Sequence, residues 1–445
     1  VPDNNVKDLL RSWKEIASYL GCDSRTCHRW EKRFALPVHR AGASLRSSVF
    51  AYKSELDSWL REKGPETRYG QEFLRKRAFW KKRYWIFLPL GAVILSFFVL
   101  SGLRNNAQPS DFRIDKSDLV ILDRKGRELG RFPTGVDNLQ DDAFYRQRYQ
   151  VKKLTGDGPV VMPVLMIKDI NNDGRAEVLF SIKTQNEYGE GTLYCLNYKG
   201  QPLWSFKAGR EMKYGKEIYS GDYRIIGLGV CDLNNDGNQE ILVISAQKPE
   251  WPCQFVVLDS KGQKLSEYWN SGHFVDYLIC DSAQQKKRDI VLAGVNNETE
   301  GGCLTVFDPS LIRGGSPQND DAFKCPSLEA GTQKYYIRFP RTDVDLLEYP
   351  QIGVAEIEIL ANHTIQARMN RTSLFFEFND QFELLDIKNS HAFKQMYKEA
   401  LLGGKVKSFL TEAYWEKLKH GVFYWDGENW TPRPTMNLRF WASKN

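Results

Sequence analysis

Two nine-residue segments of the 445-residue chain carry oxygen-bearing side chains at alternate positions: DINNDGRAE from Asp169 to Glu177, running into VLFSI, and DLNNDGNQE from Asp232 to Glu240, running into ILVIS. In both, oxygens stand at positions one, three, five and nine, and a glycine at six permits a sharp turn. Calcium is held by about six to eight hard oxygen ligands, so the pattern points to a cation loop. Asp169, Asn171, Asp173 and Glu177 would bind by side chain with the Arg175 carbonyl; Asp232, Asn234, Asp236 and Glu240 would do the same with the Asn238 carbonyl. An EF-hand wants flanking helices and a bidentate glutamate at position twelve. Here a β-branched run begins at the ninth residue, so these loops join strands, and the expected Ca2+ braces the fold rather than signals. A third copy starts at Cys280, where Ala283 and Gln285 replace ligands; Asp281 and Asp289 are expected to keep that fold without the ion.

A second constellation is basic. Residues 1–85 hold 19 Lys/Arg against 10 Asp/Glu, a charge of +9, while the whole chain carries +6, so the rest is acidic. A local excess of this kind is a partner signal. SWKEIASYL, from Ser12 to Leu20, has apolar residues at helical spacing and Ser12 followed by Glu15 as a capping box. Gly21 stops that helix, Asp23 caps the next, and SRTCHRWEKRF runs from Ser24 to Phe34. Two short helices joined by a tight glycine turn predict a helix-turn-helix. The segments 37–40 and 47–50 predict a two-stranded wing, and 52–62 a third helix with Leu56, Trp59 and Leu60 inward. Arg25, Thr26, His28, Arg29 and Lys32 are then the outward face of the second helix, and Arg40 and Arg46 in the wing reach phosphates. The competing reading is a solvated or lipid-facing patch; it is preferred for the run Arg75–Arg83, not for charges set inside an ordered helical pattern. Cys22 and Cys27 stand in apolar positions and read as small hydrophobes rather than as metal or redox sensors.

The elements between these two constellations set the layout. YWIFLPLGAVILSFFVLSGL, from Tyr84 to Leu103, is twenty residues without a charge, long enough for one bilayer crossing of about 30 Å. Lys and Arg crowd its N-terminal side, which predicts a cytoplasmic N-terminus and an extracytoplasmic C-terminus at a cell (inner) membrane. The chain opens on Val1, and no cleavable secretory signal is expected there. After the span, strand–turn–strand strings recur at Leu119 (LVILDRKGRELGRF), Leu193 (LYCLNYKGQPLWSF), Phe255 (FVVLDSKGQKLSEYW) and, more weakly, Leu304 and Phe375. Their variable spacing suits propeller blades better than a regular solenoid. Ser390–Lys419 has helical spacing and is expected to cap the propeller or meet a partner. Six cysteines follow the span; both free thiols and bridges remain open from the sequence. HExxH, GxSxG, the phosphate-binding GxxxxGK[ST] and a Rossmann glycine fingerprint are all absent from the sequence, so no enzyme is expected.

The head resembles the winged helix-turn-helix of the MerR and excisionase-like group through Glu15, Ile16, Ala17, Leu20, Gly21, Arg25, Thr26, Arg29, Trp30 and Glu31, departing from it at Cys22, Cys27 and His28. The outer body resembles the FG-GAP or VCBS repeats of integrin-alpha-like β-propellers, which implies a calcium-stabilised propeller for ligand or protein contact. The expected fold class is therefore multidomain: a small α+β winged helix-turn-helix (1–63), a basic linker (64–83), a single transmembrane α-helix (84–103), an all-β propeller-like repeat domain (104–389) and a helical, aromatic C-terminal segment (390–445). The expected function is a membrane-anchored, one-component transcriptional regulator that binds double-stranded DNA inside and an unknown ligand outside, signalling through control of a homodimer. The alternative is a single-pass cell-surface adhesion or carbohydrate- or protein-binding propeller with a cytoplasmic interaction module.

Overall fold

The computed structural model describes residues 8–41, 48–62, 108–150, 152, 160–185, 189–248, 251–281, 288–348 and 350–444. The chain divides into two compact units, Val1–Leu103 and Arg104–Asn445.

In the first unit the order is β1 (Leu9–Leu10), α1 (Trp13–Leu20), α2 (Ser24–Phe34), β2 (His39–Ala41), β3 (Ser48–Tyr52) and α3 (Lys53–Glu62). Ser12 Oγ accepts the Glu15 N–H at 3.2 Å, and Glu15 Oε2 accepts the Arg11 N–H at 2.8 Å, so the entry to α1 is satisfied from both sides. Gly21, at φ 65°, closes α1 in the left-handed conformation, and Asp23 Oδ1 takes the Thr26 N–H at 2.8 Å to open α2. Ile16, Leu20, Cys27, Val49, Leu56 and Trp59 form the core. The Cys27 thiol is buried, with its Sγ 3.3 Å from that of Cys22.

The expected fold class needs correcting in two places. The first unit is not a clear winged helix-turn-helix: β1 pairs with β3, so the expected free hairpin is part of a three-stranded sheet of order β1-β3-β2. The sequence reading gave no element to Leu9–Leu10, because two residues carry no periodicity; Leu10 nevertheless fills the core and Lys53 N–H ties to the Asp8 carbonyl at 2.9 Å. The wing tip, 42–47, lies outside the described residues. Secondly, no helix among the described residues is long and apolar enough to cross a membrane. The expected linker and span at 64–103 also lie outside the described residues, and the described structure is mostly β-sheet.

The second unit is built of successive antiparallel sheets. The first holds β4 (Asp111–Asp115), β5 (Asp118–Leu122) and β6 (Glu128–Pro133), followed by α4 (Asp142–Gln147). The second holds β7 (Leu165–Lys168), β8 (Glu177–Ser181), β9 (Thr192–Leu196) and β10 (Pro202–Lys207) in chain order. A small hairpin, β11 (Met212–Tyr214) and β12 (Glu217–Tyr219), precedes the third: β13 (Tyr223–Cys231), β14 (Glu240–Gln247), β15 (Cys253–Leu258) and β16 (Lys264–Asn270). The fourth holds β17 (Phe274–Asp281), β18 (Arg288–Asn296), β19 (Gly301–Phe307) and β20 (Tyr335–Arg338); after α5 (Asp343–Glu348) the fifth holds β21 (Val354–Ile359), β22 (Ile365–Met369), β23 (Leu374–Phe378) and β24 (Leu384–Asn389). Up-and-down four-stranded meanders in series are propeller-like. Each neighbouring pair shares an apolar cluster: Phe112 and Ile121 with Phe180, Leu193 with Val243, Phe255 with Phe307, and Val306 with Phe376.

The recurring sequence strings are the hairpins closing these meanders. Asp123, Asn197, Asp259 and Asn379 each accept two backbone N–H groups two and four residues on. The residue after the turn is left-handed: Gly126, Gly200 and Gly262 in three copies, Phe382 in the fourth. The register slips there, as a bulge that an αL residue sets. The C-terminal segment is part of this body. α6 (His391–Leu402) and α7 (Glu412–His420) bury Phe393, Tyr397, Tyr414 and Leu418 in the cluster shared by the last two sheets. β25 (Phe423–Trp425) adds to β20, β26 (Trp430–Thr431) adds to β25, and α8 (Leu438–Lys444) ends the described chain. All eight cysteines are free thiols, and Cys195, Cys253, Cys280 and Cys303 are buried.

Candidate functional site

The two oxygen loops join the first and second strands of the second and third sheets in one register. Lys168 stands opposite Glu177, and Cys231 opposite Glu240. In the first loop Gly174 N–H donates to Asp169 Oδ2 at 2.8 Å, Asp173 N–H to Asn171 Oδ1 at 3.0 Å, and Arg175 N–H to Asp173 Oδ1 at 2.7 Å. The second repeats this bond for bond, from Gly237 to Asp232, Asp236 to Asn234 and Asn238 to Asp236. Gly174 and Gly237 have φ of 82° and 90°, a conformation that a side chain would strain, which is why the sixth position is glycine.

These bonds leave the same atom over in each loop. Asp169 Oδ1 and Asp232 Oδ1 are buried and accept no hydrogen bond. A buried carboxylate oxygen without a donor is costly, and a cation would satisfy it. The ninth residue reports the same field. Burial, with Asp173 and Asp169 adding negative charge, pushes the Glu177 carboxyl up to about 7; Glu240 is raised by burial with Asp236 and Asp232 adding. Glu177 Oε2 meanwhile accepts the Ile170 N–H at 3.1 Å, and Glu240 Oε2 the Leu233 N–H at 2.7 Å. Among the described residues no three His, Cys, Asp or Glu side chains converge as a metal cluster. The donor set here is of another kind, mixing carboxylate, amide and backbone oxygens, which is the chemistry of a hard cation.

The degenerate third copy carries a side-chain cation beside its ninth-position carboxylate. Asp289 pairs with Cys280 in the register that places Glu177 and Glu240, and its buried Oδ2 accepts from Lys334 Nζ at 2.6 Å. A lysine ammonium supplies the positive charge. No sequence signal could find it, since Lys334 belongs to the segment before β20, far along the chain. Residues 282–287 lie outside the described residues. The loops also touch in series: Gln239 N–H donates to the Ile170 carbonyl at 3.0 Å, and Arg288 Nη1 to the Asp232 carbonyl at 2.7 Å.

The basic residues of the first unit divide by what they touch. Arg25, Arg29 and Lys32 are exposed on α2, and their spacing of four and three residues places them on one face. Arg33, the residue after Lys32 and also expected among the charges of this helix, is exposed as well. Thr26 is engaged at the helix start, with N–H and Oγ1 both donating to Asp23. The His28 ring lies 4.0 Å from that of Trp13, centroid to centroid, and Arg40 Nη1 donates to Glu31 Oε1 at 2.6 Å. Arg46 lies outside the described residues. A larger cavity of about 1060 Å3, between the β11–β12 hairpin and the segment 315–331, is lined by none of the residues that the sequence singled out.

Comparison with known proteins bears on the loops. The FG-GAP-like repeat model matches residues 169–243, a stretch that contains both of them. No curated protein sequence matches the chain significantly. Among solved structures, the Dos1 propeller is 7% identical, covering 62% of this chain and 65% of its own at a TM-score of 0.29. Two rhamnogalacturonan lyases, YesX and YesW, are 12% and 11% identical at TM-scores of 0.29, covering 60% and 59% of this chain. The match spans just under two thirds of the Dos1 chain and about half of each lyase, 47% and 48%. These similarities transfer no activity.

Proposed function

We propose that the chain is a DNA-binding regulator whose larger unit is a recognition module braced by calcium. The observation that carries the first half is the row of Arg25, Arg29 and Lys32, exposed along one face of α2. Their neighbours Thr26, His28 and Arg40 are engaged within the unit, while Arg33 on the same helix is exposed alongside this row. Cations at this spacing match consecutive phosphates along a groove, where Arg and Lys supply position and most of the affinity. The second half is supported by the repeat match and by the orphaned Asp169 and Asp232 oxygens. Asp169, Asn171, Asp173, Glu177 and the Arg175 carbonyl would hold one Ca2+, and Asp232, Asn234, Asp236, Glu240 and the Asn238 carbonyl a second. The ion neutralises the carboxylates and so stiffens the joint between first and second strands.

Fluorescence anisotropy of the full chain with a labelled mixed-sequence duplex tests the DNA reading. Binding is expected to weaken steeply with salt, and Arg25→Ala with Arg29→Ala to lower the slope of log affinity against log salt by about two. An unchanged slope, or no binding at low salt, overturns it and leaves a recognition module alone.

A further inference from the structure

Two cysteines meet at the turn between α1 and α2. Asp23 caps α2, so Cys22 stands one residue before the cap and Cys27 at the fourth helical position. An apolar pair at these two positions is a hydrophobic staple, which fixes the angle at which the chain enters the helix. Any two aliphatic side chains would serve. Here the contact is sulfur on sulfur, Sγ to Sγ at 3.3 Å.

Both backbones are anchored in helix ends. Cys22 N–H donates to the Ala17 carbonyl at 3.0 Å, beside the glycine stop of α1, and Cys27 N–H donates to the Asp23 carbonyl at 3.2 Å in the first turn of α2. The sulfurs differ in access: Cys22 is half-buried, whereas Cys27 is sealed in the core with Ile16, Leu20 and Leu56. The hydrogen bond between them holds the Cys22 thiol below its ordinary value, against burial and Asp23, and holds Cys27 above it, where burial adds. A reachable thiol disposed to ionise, in contact with a sealed one, is the arrangement of an attacking and a resolving cysteine.

We propose that Cys22 and Cys27 form a reversible disulfide when the chain meets hydrogen peroxide, and that this bond weakens the hold of α2 on DNA. The Cys22 sulfur attacks one peroxide oxygen; the O–O bond breaks, the other oxygen leaves as water, and Cys22 becomes a sulfenic acid. The Cys27 sulfur then attacks the Cys22 sulfur; the S–O bond breaks, and the hydroxide leaves with the Cys27 proton as a second water. Two thiols lose two electrons and the peroxide gains them. A dithiol reductant reverses the change. The second half of the proposal rests on the DNA reading above. The sulfurs must close from 3.3 Å to about 2 Å. With each backbone tied into a helix end, that shift falls on the angle between α1 and α2, and so on the row of Arg25, Arg29 and Lys32.

Peptide mass spectrometry of the full chain after hydrogen peroxide tests the chemistry. Trypsin cuts after Arg25, between the two cysteines, so the disulfide is expected to join two peptides that dithiothreitol separates. In Cys27→Ala the Cys22 sulfenic acid should persist and be trapped by dimedone; in Cys22→Ala the sealed Cys27 should stay unmodified. Anisotropy with the labelled duplex, on the same samples, tests the consequence. The oxidised chain should bind at least about threefold more weakly, with a salt slope smaller by about one, as a cation leaves its phosphate. Dithiothreitol should restore both, and Cys22→Ala, which leaves the core intact, should show no response to peroxide. An absence of joined peptides, or an equal peroxide response in Cys22→Ala, would overturn the proposal; joined peptides with unchanged duplex binding would overturn its second half. A reduced chain that binds no duplex at low salt sinks the DNA reading and that second half together, while the peptides still decide the first.

Discussion

Replacing Glu177 by glutamine separates the shape of the first loop from its charge. Glu177 is 5% exposed, and burial raises its carboxyl from 4.5 to about 7, with Asp173 and Asp169 adding. A carboxyl whose folded value is raised binds more protons in the folded state than in the unfolded one between about pH 4.5 and 7. In the absence of calcium, stability therefore falls as pH rises through that window and stays low above it. At 1.36 kcal/mol per unit the cost reaches at most about 3 kcal/mol at pH 8. Glutamine keeps an oxygen for the Ile170 N–H and carries no charge. With chelator at pH 8, Glu177→Gln should thus raise the stability of the full chain by about 1–3 kcal/mol, at about 2–4 °C of melting temperature per kcal/mol. At pH 4 the gain should vanish. With calcium present the order reverses, because the ion neutralises the carboxylate in the native protein and the variant has lost a ligand. Thermal melts followed by circular dichroism, at both pH values with calcium and with chelator, read all four cells. A variant that melts lower by the same amount in chelator and in calcium would refute the reasoning, since the carboxylate would then act only as a structural hydrogen-bond acceptor.

Asp173→Ala and Asp236→Ala should lower the melting temperature in calcium and leave it nearly unchanged in chelator; equal losses in both would remove the ion from the account. Lys334→Met leaves the buried Asp289 without its cation and should cost about 3 kcal/mol by urea denaturation. Adding Asp289→Asn should recover most of that loss, whereas an additive second loss would show that the pair does not stand in for an ion.

The parts of this fold that were legible in the sequence are those whose geometry is local. An Asp or Asn that takes N–H groups two and four residues on, followed by a glycine at positive φ, writes itself into consecutive residues, so the hairpins at Asp123, Asn197 and Asp259 and both oxygen loops could be read directly. Phe382 at the same left-handed position explains why the copy near Phe375 looked weak. What depends on distant pairing could not be read. β1 has two residues, β25 reaches β20 across the last sheet and the C-terminal helices, and Lys334 finds Asp289 only in the folded protein. In the first unit, composition exposed the excess of positive charge, but only the fold distinguished Arg25, Arg29 and Lys32 from Thr26, His28 and Arg40, whose groups are engaged.

The claim on which the larger unit rests is that its paired loops hold divalent metal. Calorimetric titration of chelator-treated full chain with Ca2+ measures this directly: the account predicts two ions per chain, falling to one in Asp173→Ala and one in Asp236→Ala. No heat of binding, or two ions still bound in each variant, would contradict it.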